Sequence, residues 1–254
     1  MNVVFLAAGF GTRLANIIGD RPKALVEVGG APLLEHLLAR VRELPDVERV
    51  LLVSNHHFLE QFRAWQRGCG ANDVEIVDDG VMDAEARLGA IGDLCFALER
   101  LDGGEDVLVL AADNVLGFGL EGLVERGSET GAGVVAVRRN ADLEDQRRRG
   151  SLELAPDGRV VAFVEKPEVP IGPWSSAPLY YFPAAVARRV REYLDAGGHH
   201  DAPGHFLAWL HTREAVYGWE QTGPLLDVGN PASWAEAEER IAEDPVRFGL
   251  PADP

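Results

Sequence analysis

Residue types suited to phosphate chemistry crowd into one short stretch, Leu6-Ala7-Ala8-Gly9-Phe10-Gly11-Thr12-Arg13-Leu14, with Arg21-Pro22-Lys23 shortly after. Glycines let backbone N–H groups approach phosphate oxygens, and an arginine adds a charge-assisted fork. A lone Gly-x-Gly is more often a tight turn, but joined to Thr12, Arg13 and Lys23 it reads as a phosphate loop. Two better-known phosphate motifs fail. A dinucleotide fingerprint needs glycine where Leu14 stands, and a P-loop must close on Gly-Lys-Ser/Thr. Asp113 ends the apolar run Val107–Ala112. A carboxylate there suits Mg²⁺, which takes one or two carboxylates plus substrate oxygens and water, although the same residue could cap the next turn. Glu165-Lys166-Pro167 closes another apolar run, and by residue type alone is a solvated charge pair.

These groups need a scaffold that brings them to one edge. Val3–Ala8 is a continuous apolar run, as in a buried parallel strand. Val50–Val53, Val74–Val77 and Val107–Ala112 predict further strands. Helical spacing over Pro32–Leu44, around Phe58, Phe62 and Trp65, and over Leu88–Leu101 fills the intervals. Alternation of this kind implies βαβ units, and ligands of open α/β sheets bind at the carboxyl ends of the strands, where the loop after Leu6 and Asp113 both fall. Farther on, Val134–Val137, Ser151–Leu154 and Val160–Val164 predict strands, with Asp157-Gly158 as a hairpin turn. Helices are predicted over 184–195, 203–210 and 231–242, with a strand through 215–219.

The Leu6–Leu14 block followed by Arg21-Pro22-Lys23-Ala24-Leu25 resembles the signature of the sugar-phosphate nucleotidylyltransferases, the NDP-sugar pyrophosphorylases, and later blocks follow in that family's order. The resemblance implies an α/β fold: a three-layer, Rossmann-like, glycosyltransferase-A type mixed but mainly parallel sheet with helices on both faces. One domain over 1–254 is expected, residues to about 115 handling the nucleotide and the rest the acceptor. The implied reaction joins the NMP of a nucleoside triphosphate to a sugar 1-phosphate or similar phosphorylated acceptor, releasing pyrophosphate, with Mg²⁺ as cofactor. The implied nucleotide contacts are Leu6, Ala8, Gly9, Gly11, Thr12, Arg13, Lys23 and Gly89, with Arg13, Lys23 and Asp113 catalytic. Leu225-Leu226-Asp227-Val228-Gly229 resembles the family's metal block, so Asp227 is expected to complete the Mg²⁺ site with Asp113. Gly150, Glu165 and Lys166 are the implied acceptor contacts.

Several positions depart from the family pattern. Arg149 stands where an aromatic often precedes the glycine, Pro178 replaces a glycine beside the sugar, and no glutamine precedes Gly89. The acceptor and base therefore stay open. A cytidylyltransferase for a non-sugar phosphate or phosphonate is one alternative, and a non-catalytic nucleotide-sensing subunit another. A glycosyltransferase would show Asp-x-Asp where Ala111-Ala112-Asp113 stands.

Bulk properties narrow the partners. A net charge of −17 opposes non-specific nucleic-acid binding. No apolar stretch reaches membrane-spanning length, and the N-terminus lacks a basic n-region, so a cytoplasmic location is expected, with a homo-oligomer as an option of the family. The chain is expected to carry no β-helix acetyltransferase domain. Cys69 and Cys95 suggest neither a disulfide framework nor a zinc site. His199, His200, Asp201, His205 and His211 fit no common metal spacing, and Gly197-Gly198 predicts a flexible loop. Asn55, ending the second strand, is a secondary candidate for substrate contact, and His56-His57 after it reads first as a polar pair at a helix start and second as a substrate contact. Arg147-Arg148-Arg149 reads first as a solvated charge run.

Overall fold

The computed structural model describes residues 1–12 and 14–250, with Ala15 by its backbone alone. The chain opens with β1 (Asn2–Leu6), α1 (Ala15–Ile18), β2 (Glu27–Val28), β3 (Ala31–Pro32), α2 (Leu33–Arg42), β4 (Arg49–Ser54), α3 (Leu59–Cys69) and β5 (Val74–Asp78). There follow α4 (Ala90–Leu98), β6 (Val107–Ala111), β7 (Asn114–Leu116), α5 (Glu121–Thr130), β8 (Gly133–Arg139), α6 (Leu143–Gln146), β9 (Gly150–Leu154) and β10 (Val160–Glu165). The remainder is β11 (Trp174–Phe182), α7 (Ala184–Asp195), α8 (Pro203–Leu210), β12 (Val216–Glu220), β13 (Leu225–Asp227) and α9 (Pro231–Glu243). Among the described residues no helix is long and apolar enough to cross a membrane.

Hydrogen-bonded strand neighbours run β10-β9-β11-β6-β1-β4-β5, with β8 on β11 and β12 on β8. The β4–β5 and β12–β8 pairs are parallel, whereas β11 runs antiparallel to β6, β8 and β9. The fold is thus α/β, a mixed sheet with helices around it. By contact the chain divides into two compact units built from interleaved segments.

The first unit takes Met1–Val4, Leu88–Leu110 and Glu121–Gln221. Its core is the run of fully buried residues in β6, β8 and β11, including Leu108, Val134, Val135, Leu179 and Phe182. The β9–β10 hairpin turns at Gly158, whose φ of +85° is a left-handed conformation that glycine adopts without a Cβ penalty. Three elements, α5, the short α6 and β11, escape the apolar pattern of the sequence. Helix α5 buries only Leu123 and Gly127, and the Tyr181 ring occupies the space a Gly127 side chain would need. Strand β11 slips register against β8 between Ser176 and Tyr180. Pro178 lies in that irregular stretch, where a residue with no N–H is tolerated.

The second unit takes Phe5–Arg87, Ala111–Leu120 and the stretch from Thr222. The helix expected over Pro32–Leu44 begins one residue later, with Pro32 extended at its N-cap. Gly70 closes α3 in the left-handed conformation, its N–H bonding to the Gln66 carbonyl. A second core gathers Val26, Val28, Leu33, Val115, Leu226, Val228, Ala237, Ile241 and Phe248. It fixes the β2–β3 hairpin, the β7–β13 pair and α9 as one block.

Candidate active site

In the second unit the phosphate loop leaves β1 where that strand is held on both sides. The Ala7 N–H donates to the Val53 carbonyl at 3.0 Å, and the Leu6 carbonyl accepts from Ala112 N–H at 3.1 Å. Asn55 then ties the loop down. Its amide donates to the Ala8 carbonyl at 2.8 Å, while its Oδ1 accepts the Phe58 N–H at 2.9 Å, and the residue is fully buried. Asn55 therefore positions the loop from beneath. Farther along, Asp20 is held by His57 at 2.5 Å and by Gln61, which donates to its carbonyl at 2.8 Å. His56 pairs with Asp78 at 2.6 Å. Burial pushes the Asp78 carboxyl up, but the hydrogen bonds from His56 and Gly80 leave it below the usual carboxylate range. Both histidines thus have carboxylate partners within the fold.

Leu6, Ala8, Gly9, Gly11 and Thr12 lie along this segment as the sequence predicts, whereas Arg13 lies outside the described residues. The two glycines differ. Gly11 has φ +61°, a turn conformation that itself favours glycine. Gly9 is exposed, has no positive φ, and a Cβ there would meet no described atom within 4 Å. Nothing in the described fold demands a glycine at position 9.

Asp113, Asp227 and Lys23 come together in the same unit. Lys23 starts a short 3-10 turn behind Pro22. Its Nζ lies 2.6 Å from Asp113 Oδ2 and 3.7 Å from Asp227 Oδ1. The carboxylates meet because β7 and β13 pair antiparallel with Asp227 opposite Asn114, and because Val228 N–H donates to the Asp113 carbonyl at 3.1 Å. Asn114, itself buried, donates to Asp113 Oδ1 at 2.7 Å and so orients that carboxylate. Beyond Asp227, Asn230 caps α9 in a reciprocal capping box with Ser233, and Pro231 occupies the first turn. The turn carrying Asp227 is thereby fixed at both ends.

Two half-exposed carboxylates form a hard-oxygen donor set that fits Mg²⁺, an ion commonly bound through one or two carboxylates plus substrate phosphates. Among the described residues no group of three His, Cys, Asp or Glu side chains converges as a complete protein cage. The fit is therefore to an ion that shares its ligands with a substrate.

The first unit holds the remaining predicted residues. Gly150 begins β9, where a Cβ would fall 2.3 Å from Phe163 Cζ and 2.5 Å from Ser176 Oγ. Glu165 ends β10 with its side chain only 8% exposed, and burial holds its carboxyl above the usual range against the opposing pull of Lys166. Lys166 has φ +45°, a left-handed conformation uncommon for a side-chain-bearing residue, and its N–H donates to the Arg149 carbonyl at 3.0 Å. Gly89, at φ +78°, caps α4, where a Cβ would lie 2.3 Å from the His200 carbonyl oxygen. Packing alone thus gives Gly89 and Gly150 a reason to be glycine. Arg149 bonds Asp145 at 3.0 Å, and Arg147 pairs with Glu144, so two of the three arginines in that run have carboxylate partners.

The sequence model of the family described as Nucleotidyl transferase matches residues 2–244. The chain belongs to that family. A UTP–glucose-1-phosphate uridylyltransferase of Haloferax volcanii is 24% identical, covering 96% of this chain and 98% of its own. The structure of a putative glucose-1-phosphate thymidylyltransferase from Bacillus anthracis, determined with sucrose, superposes with a TM-score of 0.81 at 18% identity, over 99% of this chain and 100% of that one. The inositol-1-phosphate CTP transferase of T. maritima gives 0.75 at 18% identity, over 99% and 98%.

Two positioning residues of this nucleotidyl transferase carry little signal in the sequence. Asn55 has only its place at a strand end to mark it. Asn114 is marked by nothing but adjacency to Asp113, since its role depends on which way a buried amide points.

Proposed function

We propose that this nucleotidyl transferase joins the NMP of a nucleoside triphosphate to a sugar 1-phosphate, forming an NDP-sugar and pyrophosphate. The observation that supports it most is the convergence of Asp113, Asp227 and Lys23 next to the loop that carries Gly9. An acceptor phosphate oxygen attacks the α-phosphorus, a new P–O bond forms, and the bond to the departing pyrophosphate breaks. Phosphate is already a competent nucleophile, so no general base is needed.

In this reading the backbone of Leu6, Ala8, Gly9, Gly11 and Thr12 holds the nucleotide, with Gly89 at its base. Arg13 and Lys23 steady the charge on the leaving pyrophosphate. Gly150, Glu165 and Lys166 take the acceptor, Glu165 accepting from hydroxyls and Lys166 orienting the phosphate. Asp113 and Asp227 would hold Mg²⁺, which neutralises phosphate charge and fixes the triphosphate geometry. A second acceptor class, a phosphorylated polyol, is supported by the likeness to the inositol-1-phosphate CTP transferase, and Pro178 stands where many relatives have glycine beside the sugar.

Pyrophosphate release with Mg²⁺, measured across ATP, GTP, CTP, UTP and dTTP against pooled sugar 1-phosphates and phosphorylated polyols, tests the reading. Release that requires one triphosphate and one acceptor supports it. Silence across the grid with nucleotide binding intact by calorimetry would leave the sensing subunit as the better account.

A further inference from the structure

Helices α4 and α7 leave a cavity of about 340 Å³ between them and the start of β6, wholly within the first unit. Its wall is mostly apolar. Cys95 and Leu98 come from α4, Leu101 and Val107 from the connection into β6, and Ala184 and Ala187 from the first turns of α7. Protein interiors are close-packed and leave few voids larger than a water molecule, so a hole of this size needs a cause. Small side chains supply part of it, since α7 turns two alanines toward the space and α4 a cysteine.

The rest of the cause is that the walls are held apart. The Asp106 carboxylate accepts from the Ala184 N–H at 2.9 Å and from the Tyr181 hydroxyl, which fixes the first residue of α7 beside β6. Across the mouth, Arg188 donates to the Gly103 carbonyl at 2.7 Å and Arg191 pairs with Glu99. Two straps therefore tie α7 to the end of α4 and to the chain that follows it. The cavity is formed before any ligand arrives, as small-molecule sites usually are, and its volume falls within their range.

Charge at the mouth decides what fits. Both guanidiniums are engaged by the fold, and Glu105 adds a second carboxylate to the same rim. An anion would have to take Arg191 from Glu99 in the field of two carboxylates, and a cation would meet two guanidiniums. An uncharged molecule meets neither cost. Inside, burial holds the Cys95 thiol above its ordinary range, so it keeps its proton and packs as a small hydrophobe. An apolar cavity of roughly 150 Å³ takes up benzene, so this one suits a molecule with about the bulk of two fused rings.

We propose that the cavity between α4 and α7 is a binding site for an uncharged, mainly apolar small molecule of that size. It uses none of the residues given to the nucleotide, the acceptor or the metal. Gly89 caps the opposite end of α4, nine helical residues away, so this ligand and the nucleotide approach one helix from its two ends. The inference stands apart from the proposed function.

5-Fluoroindole, followed by ¹⁹F NMR with the whole chain, is the probe. Its resonance is expected to shift and broaden saturably with wild type, and the absence of saturable binding would overturn the proposal. Ala187→Leu puts carbon into the cavity and is expected to weaken binding about tenfold or more. Ala184→Leu enters from the neighbouring turn and is expected to act in the same direction, with the fold of both variants checked by circular dichroism. Wild-type affinity in both folded variants would place the probe elsewhere and overturn the site. Indole-3-acetate, which adds a carboxylate to the same ring system, is expected to bind more weakly than 5-fluoroindole. Tighter binding by the carboxylate would overturn the assignment of an uncharged ligand.

Discussion

Lys23 Nζ lies 2.6 Å from Asp113 Oδ2, although the two residues are 90 positions apart in the chain. The same ammonium is 3.7 Å from Asp227, so one cation faces both carboxylates of the proposed metal pair. Lys23→Met should leave two carboxylates without that ammonium, and their affinity for a divalent cation should rise. The expected result is a larger Mg²⁺-induced gain in melting temperature than in wild type, together with about a hundredfold or greater loss of pyrophosphate release. A variant with unchanged Mg²⁺ response would mean that Lys23 does not compete for that pair.

Asp113→Asn tests the other partner. The amide keeps the volume and can still meet Asn114, but it removes a charge from the donor set. Turnover should fall about a hundredfold or more, with the far-ultraviolet circular dichroism spectrum unchanged. Near-normal turnover would sink the assignment of Asp113 to the metal.

Much of the scaffold is legible in the sequence, and the limits have physical causes. Buried strands such as β4 and β6 show as apolar runs, and α7 and α8 begin and end at the predicted residues because their apolar faces repeat cleanly. β7 and β13 have three residues each, too few for a period, yet their pairing places Asp113 beside Asp227. α5 hides because glycines 122 and 127 make room for Trp219 and Tyr181 where apolar side chains would otherwise mark a helix face. Site residues with a family motif were visible by type and order, but Asn55 and Asn114 act through hydrogen-bond direction, which no spacing encodes.

Asn55→Ala removes both the donor to the Ala8 carbonyl and the acceptor for the Phe58 N–H in a fully buried setting. Each partner left unsatisfied costs about 1–3 kcal/mol, and urea denaturation should report a loss in that range or somewhat above it. Because Ala8 belongs to the phosphate loop, the KM for the nucleoside triphosphate should rise as well. Lost stability with unchanged nucleotide KM would show that the loop holds its shape without this strut.

Glycines 9 and 150 should respond in opposite ways to the same added methyl group. Gly9→Ala finds open space, so its melting temperature should stay near wild type while nucleotide affinity by calorimetry falls about tenfold. Gly150→Ala forces a carbon against Phe163 and Ser176, and overpacking of this kind costs about 1–3 kcal/mol. Equal stability losses in the two variants would refute the distinction.

Glu165 offers a test that separates stability from function. Burial raises its carboxyl pKa in the folded state, so between the unfolded and folded values the folded chain binds more protons than the unfolded one. Its contribution to stability is therefore present below the unfolded pKa, near 4.5, and is lost as pH rises through the folded value. At pH 7 burial of this carboxyl is a cost to the fold. Glu165→Gln, neutral at every pH, should melt a few degrees higher than wild type at pH 7 and show no such gain near pH 4. If Glu165 accepts hydrogen bonds from the acceptor's hydroxyls, the same variant should raise the acceptor KM about tenfold at pH 7. A buried charge kept at the expense of stability is expected where the charge serves binding, and a Glu165→Gln chain that is both more stable and fully active would remove Glu165 from the acceptor site.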